Sequence, residues 1–160
     1  MAVDMFLKID PIKGESKDAK YKDLIDVLAF SWGASNSASF ASGGGGGTGK
    51  VNVQDLSLTK YQDKASPLLF LGCAQGTHYK TAEMVVRKAG DKPLDYLKIK
   101  LTDVLISSLS NGGSLGEDRL TENVTLAYGK IEIEYTPQKQ DGSGDAVVKA
   151  GWSIVENKKA

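Results

Sequence analysis

Hydrophobic and polar residues alternate with a period of two along most of the chain. Near the start, apolar side chains at Val3, Met5, Leu7 and Ile9 are separated by polar or charged ones, with Phe6 as the exception. A period of two places successive side chains on opposite sides of a strand, so this pattern predicts a strand with one buried and one solvated face. The same pattern recurs over 97–102, and further strands are predicted over 25–32, 51–59, 81–88, 124–135 and 147–155.

Two of the predicted strands change parity partway along. In 124–135 the apolar residues occupy even positions as far as Tyr128 and odd positions from Ile131 onward, and in 51–59 the change comes after Val53. One extra residue near Gly129, as in a β-bulge, would switch the faces and bend the strand. Two bent strands in one small protein favour a curved, barrel-like sheet over a flat one.

Only one helix is predicted, over about 66–76. Ser66 is a candidate N-cap, Pro67 fits the first turn, and Gly76 can end the helix. The sequence therefore predicts a mainly β fold for residues 1–160: a single-domain β-barrel of two curved antiparallel sheets with one short helix and a long loop rich in glycine and serine.

That loop spans about 33–50 and belongs to a segment, 27–49, that has no charged residue and contains seven glycines. Loops longer than about 12–15 residues are uncommon in compact domains and are usually disordered or functional. A flexible linker is one interpretation, but we see no second domain to link, so we expect the loop to reach another molecule. The strand before it is apolar on both faces. Such a strand is either central between two packed layers or lies against a neighbouring subunit.

Composition excludes several classes of function. Lysine plus arginine and aspartate plus glutamate each total 20, so there is no basic excess of the kind that nucleic-acid binding requires. One cysteine and one histidine are too few for a structural zinc site, and we expect no metal or cofactor. Charges within the first ten residues argue against a secretory signal peptide, and no apolar run is long enough for a membrane span, so we expect a soluble chain made in the cytosol.

Two enzyme motifs occur without the context that they need. Gly44, Gly46 and Gly49 match GxGxxG, but a strand-like segment follows where a phosphate-binding helix should begin. Ser114 lies in a GxSxG match, but His78 precedes it and no histidine follows. We therefore predict no catalytic residue and no enzymatic activity; a small hydrolase that uses Ser114 is the weakest alternative.

Several short blocks follow one another along the chain in a distinctive order: 6–9 (FLKI), 13–16 (KGES), 31–33 (SWG), 49–51 (GKV), 53–57 (VQDLS), 63–67 (DKASP), 87–90 (RKAG), 103–108 (DVLISS), 112–114 (GGS), 134–135 (EY) and 151–152 (GW). Together they resemble the haemolysin-coregulated protein (Hcp) family, the tube-forming proteins of the bacterial type VI secretion system, over essentially the whole length.

The resemblance implies a β-barrel subunit that forms a homohexameric ring with an open centre. Rings would stack into a tube that a contractile sheath expels together with a spike protein, and small effector proteins could ride in the lumen. It also implies that the chain leaves the bacterial cytoplasm through this system, with no nucleic acid and no membrane insertion involved. A closed barrel that binds a small ligand as a monomer is the alternative that the same strand pattern permits.

Within this resemblance we predict two sets of site residues. Contacts with an adjacent subunit or stacked ring are predicted where small side chains let backbones approach, at exposed strand ends, and on the doubly apolar strand: Phe30, Trp32, Ala41, Ser42, Gly43, Gly44, Gly45, Gly46, Gly47, Thr48, Gly49, Gly90 and Asn157. Ser31, Asn111 and Ser114 are predicted to face the lumen, the last two near the end of a second charge-free stretch, 104–116. For Ser114 a solvated hairpin turn is an equal alternative. The net charge of zero removes long-range repulsion between copies and permits assembly.

Overall fold

A computed structural model describes residues 2–37 and 49–160, and most of these residues lie in antiparallel strands. The strands are β1 (Val3–Lys8), β2 (Ile25–Asp26), β3 (Ala29–Ser31), β4 (Ala34–Asn36), β5 (Val51–Val53), β6 (Leu56–Tyr61), β7 (Tyr79–Lys88), β8 (Leu94–Gly112), β9 (Thr121–Tyr135), β10 (Val148–Ser153) and β11 (Lys158–Lys159), and α1 spans Ser66–Gln75. The prediction of a mainly β fold with one short helix is confirmed. Within the described ranges, no helix has the length and apolar character needed to cross a membrane.

Nine of the strands form one curled sheet, in which β8 and β9 are the longest strands. The order is β11-β10-β9-β8-β7-β1-β2. In addition, β6 pairs with the first half of β9, and β3 pairs with β6. The long β8–β9 hairpin is shared by two layers of this curled sheet. The second sheet is the β4–β5 pair; β4 lies within the segment predicted as loop, and β5 begins the predicted strand over 51–59.

The β8–β9 hairpin bends where Asp103 lies across from Gly129. Asp103 takes a left-handed conformation with φ 57°, and the pairing of Thr102 with Lys130 continues in the same register beyond it. The predicted change of parity in β9 is confirmed, but the predicted extra residue near Gly129 is wrong, because both strands turn together and neither gains a residue. The register shift in this pair comes later, after Ile106.

The predicted strand over 25–32 is divided in two because its partner changes. The Val27 N–H donates to the Met5 carbonyl (3.0 Å), and the Leu28 N–H donates to the Thr59 carbonyl (2.8 Å). The chain thus passes from a partner in β1 to a partner in β6, linking one end of the sheet with the other layer. The predicted strand over 51–59 also divides, into β5 and β6, where its parity changes.

Helix α1 packs on β8 through a narrow contact. Leu69 and Gly72 are its buried residues, and a Cβ on Gly72 would lie 2.1 Å from the Tyr79 hydroxyl, which explains the glycine there. Gly76 ends the helix at φ 63°, as predicted. The predicted cap is wrong: Ala65 occupies the N-cap position, and the Ser66 hydroxyl instead accepts a hydrogen bond from the Asp63 N–H (3.0 Å).

A buried ionic network connects the start of α1 with β6 and β9. Lys60 and Glu122, neighbours in the β6–β9 pairing, are both fully buried and form an ion pair. The Lys60 ammonium also donates to Asp63 (3.0 Å) and to the Ser66 hydroxyl (3.2 Å), and the Ser66 hydroxyl donates to Glu122 (2.6 Å). Breaking such a pair leaves an uncompensated buried charge, whereas replacing both members with apolar groups is often neutral.

Charged residues also hold the segment 13–24 against β1, β7 and β8. Arg87 donates to both carboxylate oxygens of Asp18 (2.6 and 3.0 Å) and to Asp4 (3.1 Å), and Lys20 donates to Asp95 (2.6 Å). The hydrogen bonds from Arg87 lower the pKa of Asp18 to about 2. The segment is therefore held by ion pairs, and protonation of their carboxylates in acid would weaken them.

We expect Lys60→Met to destabilise the protein by about 3–5 kcal/mol, because Glu122 and Asp63 would keep buried charges without their cation. The double substitution Lys60→Met/Glu122→Leu should recover the part of that loss that comes from Glu122, which is the more deeply buried of the two carboxylates. The exposed Lys130–Glu132 pair provides the control, where the corresponding substitutions should cost about 0–1 kcal/mol. Urea unfolding of all variants measures this, and equal losses at the two pairs would contradict the assignment.

The Asp18→Asn variant should lose stability relative to the parent only where Asp18 is ionised. Since the folded-state pKa lies below the ordinary value of 3.8, the contribution is complete above that value and disappears as the pH falls toward about 2. Thermal unfolding of parent and variant across this range measures the gap in Tm, which should close under acid conditions. A gap that stays constant down to the lowest pH would show that the Arg87 contact is not electrostatic.

Candidate functional site

An uncharged polar surface covers the outward side of the layer formed by β3, β6, β9 and β8. One row of directly paired residues across these strands is Ser31, Ser57, Thr125 and Ser108, and the next is Ala29, Thr59, Asn123 and Ser110. We call the seven polar residues of these two rows the polar face. Strands lie about 4.8 Å apart, so each row spans about 15 Å.

Hydroxyl groups on the polar face hydrogen-bond to one another. The Thr125 hydroxyl lies 2.6 Å from that of Ser108 and 2.7 Å from that of Ser107, which donates to Asp55 at the border (2.7 Å). Thr59 donates to the Asn123 side chain (2.8 Å). The side chains satisfy part of one another's hydrogen-bonding capacity, so the surface is polar without being charged.

The outward side of the other layer has the opposite character. Charges of alternating sign follow one another from strand to strand: Glu83 on β7 pairs with Lys100 on β8 and then with Glu132 on β9, and Lys98 pairs with Glu134 and then with Lys149. We call these six residues the charged face. One sheet therefore presents two chemically distinct outward surfaces, separated by the bend in β8 and β9.

The predicted lumen residues lie on or beside the polar face. Ser31 ends its first row, while Asn111 and Ser114 line a shallow hollow of about 380 Å³ at the end of the β8–β9 hairpin, next to Ser110 and Asn123. Ser31 thus belongs to the polar face, and Asn111 and Ser114 border it across the hollow, which Glu117 also lines. Sequence reasoning missed Ser57 and Thr125, because only the strand register places them between Ser31 and Ser108.

An open apolar groove of about 750 Å³ lies between the β4–β5 pair and the ends of β9 and β10. We call it the tryptophan groove, since both tryptophans of the chain line it. Its lining residues are Trp32, Ala34, Asn36, Gly49, Lys50, Val51, Val53, Ile131, Ile133, Ala150, Gly151, Trp152 and Asn157. Of these described lining residues, Lys50 alone is charged.

Two features shape the groove. The Tyr128 hydroxyl donates to the Gln54 carbonyl (2.7 Å), which ties β9 to the connection between β5 and β6. Burial, with the nearby Asp55 carboxylate, raises the pKa of Tyr128 to about 12, so the hydroxyl stays protonated and able to donate. The Trp152 indole N–H is buried and has no acceptor among the described residues, so Trp152 lines the groove with the apolar part of its ring.

Three of the predicted contact residues, Trp32, Gly49 and Asn157, line this groove. Phe30 is half buried and packs against the core, and Gly90 lies elsewhere, in the exposed turn between β7 and β8. Residues 41–48 lie outside the described residues. Sequence reasoning missed Ile133 and Trp152, whose positions in the groove depend on the pairing of β9 with β10.

The surroundings of Ser114 do not match a nucleophile elbow. β8 precedes it, but a turn and then β9 follow it where the motif requires a helix, and no hydrogen bond from its hydroxyl to another described residue is present. In the ranges 2–37 and 49–160, no cluster of three or more histidine, cysteine, aspartate or glutamate side chains is placed to hold a metal ion.

Known proteins match both the sequence and the fold. The family model described as "Type VI secretion system effector, Hcp" matches residues 6–135. Protein hcp1 of Pseudomonas aeruginosa is 57% identical over 162 aligned residues, covering all of both chains. A solved structure of a type six secretion system protein is 39% identical with a TM-score of 0.94, covering 99% of this chain and all of its own. The crystal structure of Hcp1 from Salmonella typhimurium is 39% identical over the full length of both chains, with a TM-score of 0.83. On sequence and on fold together, the chain belongs to the Hcp family of the type VI secretion system.

Proposed function

We propose that this chain is a structural subunit of the type VI secretion tube. Copies assemble into six-membered rings, the rings stack, and the polar face lines the central opening, where small effector proteins are carried. The sheath and the spike protein are the further partners, the chain is exported with its cargo, and it catalyses no reaction. The observation that carries this proposal is the polar face, an uncharged surface spanning four strands on a chain of the Hcp family.

The edges of this layer support assembly. The pairing of β8 with β7 ends at Val104, so in the described part of the chain residues 105–112 pair only with β9, while β3 forms the opposite edge. An unpaired strand edge can continue into the sheet of another molecule. A layer with two open edges can therefore extend from copy to copy around a ring.

The lack of charge on the polar face suits a closed channel. In a ring, each residue recurs once per subunit, so a charged residue facing the opening would be surrounded by like charges. Like charges repel at close range, and the repulsion is stronger where low-dielectric protein surrounds them. Hydroxyl and amide groups avoid this cost and contact varied cargo through hydrogen bonds and water.

The tryptophan groove is the observation that favours the alternative function, a monomer that binds a small ligand, because its volume falls in the range of small-molecule sites. The two functions differ in the state of the free protein. A ring subunit associates with itself, and a ligand carrier has no need to do so.

Native mass spectrometry of the purified chain should show an assembly of six copies of the 17.1 kDa protein at micromolar concentration. Negative-stain electron microscopy of the same sample should show rings with an open centre. A monomer at every concentration tested would contradict the proposal and favour the alternative function, a monomer that binds a small ligand.

Gold labelling tests which face lines the opening. On a Cys73→Ser background, Asn123→Cys on the polar face and Lys100→Cys on the charged face are each coupled to a small maleimide gold particle. Averaged images should place gold at the centre of the ring for Asn123 and away from the centre for Lys100. The reverse arrangement would show that the charged face lines the channel.

A further inference from the structure

The tryptophan groove has a chemistry that defines what it can accept. Val51, Val53 and Ile133 form apolar walls with the two tryptophans, Lys50 supplies a positive charge, and none of the described residues that line the groove is acidic. A complementary segment would combine an apolar side chain with carboxylates.

The turn between β8 and β9 has this combination. Leu115 is fully exposed, at 108% of its reference area, and the turn then continues through Gly116 to the exposed carboxylates of Glu117 and Asp118. Neither carboxylate forms an ion pair among the described residues, and the Glu117 N–H donates to the Ser114 carbonyl (3.2 Å), which keeps the turn compact. We call residues 114–118 the acidic turn.

The acidic turn and the tryptophan groove of the same chain lie too far apart to contact each other. The acidic turn precedes the first residue of β9, whereas Ile133 lies near its last, so about 40 Å of strand separates them at 3.3 Å per residue. Two different complementary surfaces on one chain produce a heterologous contact, which repeats head to tail and closes into a ring when the rotation permits.

We propose that the acidic turn of one copy occupies the tryptophan groove of a second copy, with Leu115 against the apolar walls and Glu117 or Asp118 beside Lys50. This inference rests on the proposed function in assuming that copies assemble, and it names the two surfaces that meet. The exposed apolar side of α1, with Leu68 and Phe70, is a poorer occupant because it brings no carboxylate to Lys50.

A charge swap tests the contact. Lys50→Glu alone and Glu117→Lys/Asp118→Lys alone place like charges together, and each should raise the concentration needed for assembly by about tenfold. Combining all three substitutions restores opposite charges and should return assembly close to that of the parent. Sedimentation velocity over a concentration series measures this, and Lys139→Glu, an exposed lysine outside the groove, is the matched control.

The apolar part of the contact has its own readout. Since both tryptophans line the groove, their emission should shift to shorter wavelength as the protein assembles, and Leu115→Ser should remove both the shift and much of the assembly. Trp152→Phe keeps an aromatic ring but lacks the N–H, so it should weaken assembly less than Leu115→Ser. Thermal unfolding should leave Leu115→Ser, which lies in the exposed turn, near the parent, separating assembly from folding.

The outcomes separate this inference from the proposed function. If the parent forms rings but the charge swaps have no effect, or the triple variant is no better than its parts, the contact is wrong and the tube function stands. If the parent never assembles, both fail. Assembly lost by each swap and regained by their combination would support the contact directly.

Discussion

The bend in the β8–β9 hairpin is the constraint on which the rest of the structure depends. Strict alternation would turn Val104 and Ile106 outward after Leu101, and the left-handed residue at Asp103 keeps them on the buried side. That conformation costs roughly 1–2 kcal/mol, less for aspartate than for most residues. Burying a valine, leucine or isoleucine side chain contributes about 1.5–3 kcal/mol, and several depend on the turn, so the buried arrangement is favoured clearly.

The same bend separates two chemistries that a straight hairpin would have mixed. Before it, the outward residues of β8 are Lys98 and Lys100; after it, they are Ser108 and Ser110. The partner strand follows, with Glu132 before the bend and Asn123 and Thr125 beyond it. The β8–β9 hairpin thereby contributes both to the charged face and to the polar face, and its core side is mainly apolar, with the buried Glu122 as the exception.

How much of this could be predicted from the sequence depends on the range of the interaction. The strands, the helix stop at Gly76 and the change of parity in β9 follow from neighbours in the chain, so the sequence predicts them. The matching change of parity in β8, at Asp103, could not be predicted. Asp103 is polar, as an ordinary outward-facing residue of a strand would be, so the sequence does not mark it.

The candidate sites show the same limit. Residues 104–116 are visibly uncharged, but the polar face exists only because Ser57 and Thr125 come into register beside them. Trp32 lies just before β4 and Trp152 lies on β10, so they are separated by most of the chain, and only the folded arrangement of the strands brings them to one groove. The sequence predicts Ser66 as an N-cap. It cannot indicate that the Ser66 hydroxyl instead hydrogen-bonds to the buried Lys60–Glu122 pair.

Among the described residues, the tryptophan groove stays open to solvent in the single chain, and this bears on assembly. The inward side of the β9–β10 pair stays apolar beyond the core, through Ile133 and Ala150 to Tyr135 and Val148, the last two of which are exposed. Apolar area that the monomer leaves in water contributes nothing to its stability, but the same area stabilises an assembly by about 25 cal/mol for each Å² that becomes covered. With no net charge to oppose contact between copies, covering this end of the sheet in the proposed assembly would be favourable.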